Sequence, residues 1–393
     1  MNPYMDRGEE VILHTYNRYP VVLDRGEGVY LYDVDHRKYL DFASGIGVYS
    51  LGYSNETFKH NIKEQVDKLT HTSNLYYNVP AIEAAEKLIH ATKMSKVFFT
   101  NSGTEAIEGA IKVARKYAFN KTGNTEHEII AMEHSFHGRS LGALSVTGNP
   151  AYQEAFKPLI GGIQFAVFND IESVKEKVND KTCAILLETI QGEGGIYPAD
   201  ECFLKEIEKI CKERDILLIL DEIQCGMGRT GTMFAYESYG ITPDILTTAK
   251  ALGNGLPVGA FVLNEKTAKA SLVPGDHGTT YGGNPLACAA VSSVLSLYED
   301  EKILKNVQKI SKYFEKQLDK LVDQYEFIEE RRGKGLMQGL VIKERLAGDI
   351  VKRALEEGLI LITAGGNVLR FLPPLIITEA DVDTMIKLLK KSF

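Results

Sequence analysis

The chain has 393 residues, 44% of them apolar and 25% charged, with a formal net charge of -8. That is the profile of a globular chain long enough for one large domain plus a smaller one. The acidic balance without any basic run argues against a nucleic-acid footprint. No apolar stretch reaches 18 residues, so a membrane span is not expected.

Met1 to Glu10 is polar and charged, without a secretory apolar segment, so the expected location is the cytoplasm. Residues 1–50 are expected to form an N-terminal segment that packs with the C-terminal part, and 51–285 a large domain. From about residue 95, apolar runs alternate with amphipathic stretches. "KVFFT" (96–100), "EIIAM" (128–132), "IQFAVF" (163–168), "TCAILLE" (182–188) and "ILLILDE" (216–222) predict buried strands. "GTEAIEGAIKVARKYAF" (103–119) predicts a helix, because Ala106, Ala110, Val113, Ala114 and Tyr117 recur at three- and four-residue spacing. "DECFLKEIEKICKER" (200–214) predicts a second. Strand and helix in alternation indicate an α/β fold with a mostly parallel central sheet flanked by helices. Beyond about 285 the pattern turns helical and then mixed, which predicts a smaller α+β domain over 286–393. Five cysteines, at 183, 202, 211, 225 and 288, show neither CxxC nor metal-ligand spacing. Reduced thiols and no metal site are expected.

Ligands of open parallel sheets gather beyond the carboxyl ends of the strands, and three such ends draw notice. In "FFTNSGTEA", Ser102, Gly103 and Thr104 begin a helix, either as a plain N-cap or as an anion cradle. In "ILLILDEIQ", Asp221 follows five apolar residues. It needs a partner, which could be a structural cation or a ligand's ring nitrogen. In "DILTTAKALGNGLPVGA", Lys250 is the one charged side chain after Asp244. A lysine in dry surroundings either snorkels outward or serves as an amine nucleophile. Taken together, a phosphate cradle, an acid for a ring nitrogen and an amine for an aldehyde are what pyridoxal phosphate requires.

The stretches "FFTNSGTEAIEGAIKVAR", "SFHGRSLGALSVTG", "ETIQGEGG", "LDEIQCGMGRTG", "TTAKALGNGLPVGA" and "HGTTYGGNPLACA", in that order, resemble the class III (ω-amino-acid) aminotransferases. These are fold-type I pyridoxal-phosphate enzymes, and the likeness covers almost the whole chain. It implies that Lys250 binds the cofactor aldehyde covalently and that Asp221 pairs with the pyridine nitrogen. Gln224 would bond the ring hydroxyl, and Phe136 and Ile223 would sandwich the ring. Ser102, Gly103 and Thr104 would take the phosphate, joined by Thr280 from the other subunit of a homodimer. Arg139, with Thr279 nearby, would hold the substrate α-carboxylate, and Arg370, switched by Glu193, the second carboxylate of glutamate. The implied reaction moves an amino group between N-acetylornithine and 2-oxoglutarate, in arginine biosynthesis. Ornithine, succinylornithine and 4-aminobutyrate are alternative donors. Ornithine-specific members carry a pocket tyrosine; "SGIGVYSLGY" resembles the acetylornithine pattern more closely, with Tyr49 unusual.

Other readings compete. "GMGRTG" (226–231) satisfies GxGxxG and suggests a nicotinamide-dependent dehydrogenase, but it lacks the strand immediately before it and the long helix after it. A non-catalytic binding protein would keep the fold alone. His134 and His137 form an HxxH without further ligands, better suited to shaping a pocket than to holding metal. Glu188 ends its strand beside the site, where a structural role and a catalytic one are equally served. "NLYYN" (74–78) resembles the family's substrate-entrance and dimer-contact segment, although tyrosine pairs are commonly packing.

Overall fold

The computed structural model describes residues 2–343 and 346–393. Near the N-terminus, β1 (Leu23–Glu27), β2 (Tyr30–Asp33) and β3 (Lys38–Asp41) form an antiparallel meander. The central sheet takes β4 (Lys96–Thr100), β5 (Glu128–Met132), β6 (Ile163–Ala166) and β7 (Thr182–Glu188). A short hairpin, β8 (Ile190–Gln191) with β9 (Tyr197–Pro198), stands apart. The sheet is completed by β10 (Leu217–Asp221), β11 (Ile245–Thr248) and β12 (Gly259–Leu263). Its order is β4-β12-β11-β10-β7-β5-β6. All pairs are parallel except those of β12, which runs antiparallel to both β11 and β4.

The strands are buried because their side chains serve two cores. On β10, Leu217 and Ile219 pack with Ile107, Ala110 and Ala114 of the helix Gly103–Thr122. Leu218 and Leu220 face the other way, towards Phe203, Leu204 and Ile207 of the helix Glu201–Arg214. Both faces are dry, which is why these strands read as unbroken apolar runs. The expected strand at 163–168 stops at Ala166, because the Val167 amide turns to the Ser173 hydroxyl at 2.9 Å. The helix expected to end at 119 runs to Thr122 and is closed by Gly123, whose φ of 70° suits a left-handed C-terminal cap.

After the long helices Pro285–Asp300 and Ile303–Gln324 comes a second antiparallel sheet. It contains β13 (Ile328–Lys334) and β14 (Met337–Ile342), followed, after β15 (Leu359–Ile360), by β16 (Ile362–Ala364) and β17 (Val368–Phe371). Its order is β13-β14-β17-β16. β15 instead pairs with β3, Leu359 against Leu40, which attaches the N-terminal meander to the C-terminal part of the chain.

The GxGxxG segment does not open a helix. Residues 223–230 are turns, and Arg229 among them is 1% exposed and donates to the carbonyls of Leu336 and Pro373. Gly228 and Gly231 take the positive φ that this looping path needs, and no helix N-terminus is left to receive a pyrophosphate. The dehydrogenase alternative has no site there.

Gly109 lies where the helix Gly103–Thr122 crosses β12, and a Cβ there would overlap the Phe261 ring. Gly109→Ala should therefore cost about 1–3 kcal/mol from overpacking, despite alanine's better helix propensity. Gly8, in the exposed helix Pro3–Val11, has open space around a Cβ, so Gly8→Ala should be neutral or stabilising by up to about 1 kcal/mol. Thermal unfolding of the two variants checks the opposite signs.

Candidate active site

Six of the seven central strands run the same way, so β4, β11, β10, β7, β5 and β6 end on one edge. The chain goes outward from β5 to β6, then returns past β5 to β7 and β10, placing a crevice at the end of β5. A cavity of about 480 Å³ opens there. Its walls contain Ser102, Gly103, Thr104, Phe136, Arg139, Glu193, Asp221, Ile223, Gln224 and Lys250. Ten positions picked from five separate loops thus meet in one place, a volume ordinary for a small-molecule site.

Asp221 ends β10 and is 3% exposed. Its Oδ1 accepts the Ile223 amide at 3.0 Å and the Thr247 hydroxyl at 3.2 Å, and its Oδ2 accepts from His137 Nδ1 at 2.7 Å. A buried carboxylate is tolerated because donors surround it. That contact fixes the imidazole with its proton on Nδ1, and the buried Nε2 has no partner. His137, expected with His134 only to shape a pocket, meets a partner that lies 84 residues away in sequence.

Glu188 stands directly beside Asp221 in the β7–β10 register. Burial, and then the neighbouring Asp221 charge, push its carboxyl well above the usual carboxylate range, and its Oε2 is an unpartnered buried atom. Two adjacent acids in a dry site cannot both ionise at low cost. Glu188 is the one whose carboxyl is pushed up, which favours its protonated form.

Lys250 follows β11 and begins a single 3-10 turn with φ 47°. A non-glycine residue held in the left-handed region carries strain of about 1–3 kcal/mol, and such strain gathers at functional sites. Loss of hydration, helped by the nearby Arg370 charge, holds its amine below the usual lysine range against the opposing pull of Glu193 and Asp221. The amine is thus easier to find unprotonated at neutral pH than an ordinary lysine.

At the N-terminus of the helix Gly103–Thr122, the Ser102 hydroxyl caps the Glu105 amide at 3.3 Å. The amides of Gly103 and Thr104 have no acceptor among the described residues and remain for an anion. Gly103 lacks a side chain for a reason, since a Cβ would press on Ile223 Cδ1 at 2.9 Å. The Thr104 hydroxyl is already engaged. It contacts Ser140 Oγ at 2.9 Å and accepts the amides of Arg139 and Ser140 at 3.3 Å, while Ser140 Oγ donates to Glu108. The hydroxyl therefore ties the anion cradle to the Arg139 loop.

Two arginines differ in state. Arg370 on β17 is 3% exposed and forms a two-pronged pair with Glu193, at 2.5 and 3.3 Å. A third contact reaches Gln224 Oε1 at 3.4 Å. Glu193 is the more exposed partner, in a turn flanked by Gly192, Gly194 and Gly195. Burial would raise its carboxyl, but Arg370 prevails and holds it below the usual range. Arg139 is exposed and pairs with no carboxylate among the described residues.

Thr279 is not brought to the cavity wall, contrary to expectation. Its hydroxyl is occupied by Asn101 Nδ2 at 3.3 Å and the Gly282 amide at 3.1 Å. Thr280 is exposed beside it and also lies outside this chain's cavity. Val48, rather than Tyr49, lines the wall; Tyr49 packs on Tyr53 with ring centroids 4.4 Å apart. Asn101, Val48 and Leu256–Val258 were not singled out by sequence, and nothing in their local pattern marks them.

The sheet and this cavity define an α/β protein with a lysine and an aspartate facing one pocket at the strand ends. Comparison with known proteins narrows the class. The family model for "Aminotransferase class-III" matches residues 11–393. An acetylornithine aminotransferase of Methanocaldococcus jannaschii is 48% identical over 99% of this chain and 98% of its own length. Among solved structures, an acetylornithine aminotransferase from Elizabethkingia anophelis matches with a TM-score of 0.89 at 34% identity, covering 99% of this chain and 97% of that one. An ornithine aminotransferase from Toxoplasma gondii matches with a TM-score of 0.94 at 29% identity, covering 99% and 93%. The chain belongs to the class III aminotransferases and has their fold-type I architecture.

The state of Glu188 has a measurable consequence. Its folded pKa is raised, so the folded protein holds a proton that the unfolded chain releases above about pH 4.5. Stability contributed by this group is complete below that pH and falls as pH rises. Glu188→Gln should match the parent near pH 4 and become progressively more stable than it towards pH 8. Melting curves across that range are the check; a constant difference would mean that Glu188 is ionised.

Proposed function

We propose that this protein is a pyridoxal-phosphate-dependent aminotransferase that moves the terminal amino group of N-acetylornithine to 2-oxoglutarate, in the cytoplasm and in arginine biosynthesis. The observation that carries the reading is the meeting of Lys250, Asp221 and the free amides of Gly103 and Thr104 in one cavity. A relative by structure has PLP at partial occupancy in its active site. The residues present here fit that cofactor: a helix N-terminus for a phosphate, a buried carboxylate for a ring nitrogen, an amine for an aldehyde, and apolar Phe136 and Ile223 for ring faces.

When bound, the cofactor supplies a protonated pyridine ring that withdraws electrons from the carbon bearing the transferred amine. The remaining tasks fall to the protein. Lys250 would hold the cofactor through its aldehyde until substrate displaces it, and the lowered pKa of the freed amine suits it to take up the proton that the substrate carbon loses. Asp221, aimed by His137 and Thr247, presents fixed negative charge to the ring nitrogen without reorganising. Arg139 offers a planar fork to the donor's α-carboxylate. Glu193 neutralises Arg370 while the ω-amino donor is bound, and it swings away so that Arg370 can receive a carboxylate of glutamate. Val48 at the wall offers no polar group to a free α-ammonium, which favours an acylated donor over ornithine.

A second copy of the chain completes the site. Asn74 and Asn78 tie their segment to the carbonyls of Gly282 and Gly283, gathering exposed Leu75, Tyr76, Tyr77 and Tyr281 next to Thr280. Such an apolar patch favours a homodimer in which Thr280 reaches the partner's phosphate cradle.

The protein should show a visible absorbance band that borohydride bleaches, with the label on Lys250, and Lys250→Ala should lose turnover by roughly a thousandfold or more. A colourless protein, or a variant with near-normal turnover, contradicts the reading. Comparison of kcat/KM for N-acetylornithine, N-succinylornithine, ornithine and 4-aminobutyrate identifies the donor. Removing the Glu193 charge should act on the gate: Glu193→Gln frees Arg370, so the ratio of kcat/KM for N-acetylornithine over glutamate should fall about tenfold. An unchanged ratio would leave Arg370 without a switch.

A further inference from the structure

Arg139 is an exposed arginine with no carboxylate partner among the described residues, yet its guanidinium is not free. Its Cζ lies 4.0 Å from the centre of the Tyr152 ring and 5.4 Å from that of Phe136. The two rings meet edge to face, 89° apart with centroids at 6.3 Å. We propose that Tyr152 is the positioning residue for Arg139, holding the guanidinium face-on so that its in-plane donors point to the donor substrate's carboxylate. This rests on the assignment of Arg139 to that carboxylate.

The physics favours such an arrangement. An arginine in water samples many rotamers, and fixing it at the moment of binding costs affinity. A ring against one face attracts the cation through its quadrupole and leaves every N–H in the plane available for a bidentate carboxylate. The other end of the loop is fixed as well, because the Arg139 amide donates to Thr104 Oγ1 at 3.3 Å. The residue is thus held at its backbone amide and at its guanidinium.

Tyr152 can act as a brace only if it is itself rigid. It sits in the short helix Pro150–Gln153, whose start is set by Pro150 and by the Asn149 side chain accepting the Ala151 amide at 3.1 Å. The next residue, Gln153, locks the turn from beneath, its Nε2 within 3.0–3.3 Å of the carbonyls of Leu144, Ser145 and Thr147. Tyr152 also forms part of the wall of a neighbouring cavity of about 550 Å³ that shares Phe136 and Glu193 with the first. Its hydroxyl makes no hydrogen bond among the described residues. The ring face is therefore the working part, and phenylalanine should replace it.

The test uses the cofactor-loaded protein with N-acetylnorvaline, which carries the acylated α-amine and the carboxylate but no amine to react. Tyr152→Leu should weaken its Kd, by calorimetry, about three- to tenfold, and raise KM for N-acetylornithine similarly, with kcat within about twofold. Tyr152→Phe should stay within about twofold of the parent on all three. In an Arg139→Ala background, Tyr152→Leu should add nothing further, since its effect passes through the guanidinium. Equal Kd for parent and Tyr152→Leu overturns the inference. So does an effect that persists without Arg139, or a Phe variant as damaged as Leu, since each marks a structural or direct role. Calorimetry does not depend on turnover, so a protein that binds the probe but transfers no amino group refutes the proposed reaction and leaves Tyr152 separately judged.

Discussion

The site depends on the cost of placing charge at the dry end of the central sheet. Asp221 and Glu188 lie side by side at the ends of neighbouring strands, both almost out of water. Donors from three directions support Asp221, from the Ile223 amide, Thr247 and His137, while Glu188 has an oxygen with no partner among the described residues and a carboxyl pushed above the usual range. The same dryness depresses the Lys250 amine. One low-dielectric pocket thus sets a donor-supported carboxylate, an acid shifted toward its neutral form and an amine shifted toward its free base within one wall.

Two arginines at the site are kept in different ways. Arg370 is buried and paired through both terminal nitrogens, with Glu193 and Gln224, while its Nε has no partner among the described residues, so using it requires breaking a pair. Arg139 is exposed and has no anion to displace, but it lies against aromatic faces. A buried unpaired guanidinium would be costly, whereas an exposed one is cheap but disordered. Pairing suits the first and stacking the second. This division suits a site that must accept one substrate with a single carboxylate and another with two.

Much of the fold could be read from sequence. β4, β5 and β7 run over the residues expected, because continuous apolar runs between polar turns signal doubly buried strands. The antiparallel β12 could not be read, since strand direction depends on pairing with distant β4 and β11 and leaves no local trace. "GMGRTG" shows the opposite failure: its glycines satisfy a dinucleotide pattern while Gly228 and Gly231 serve turns in the left-handed region. The Thr104 hydroxyl lies at the expected cradle but is taken by Ser140 and two amides. Thr279, expected at the wall, is held by Asn101 and Gly282.

By itself the sequence determined the strand–helix alternation, the N-cap at Ser102, and Asp221 and Lys250 as strand-end residues. These follow from apolar periodicity and from local backbone chemistry within a few residues. Only the tertiary structure decided who meets whom. It put His137 on Asp221 across 84 positions and Glu193 on Arg370 across 177, and it laid Tyr152 against Arg139. Hydrogen bonds and stacking act over a few ångströms, and packing of the strands, not spacing in the chain, brings such groups within that reach.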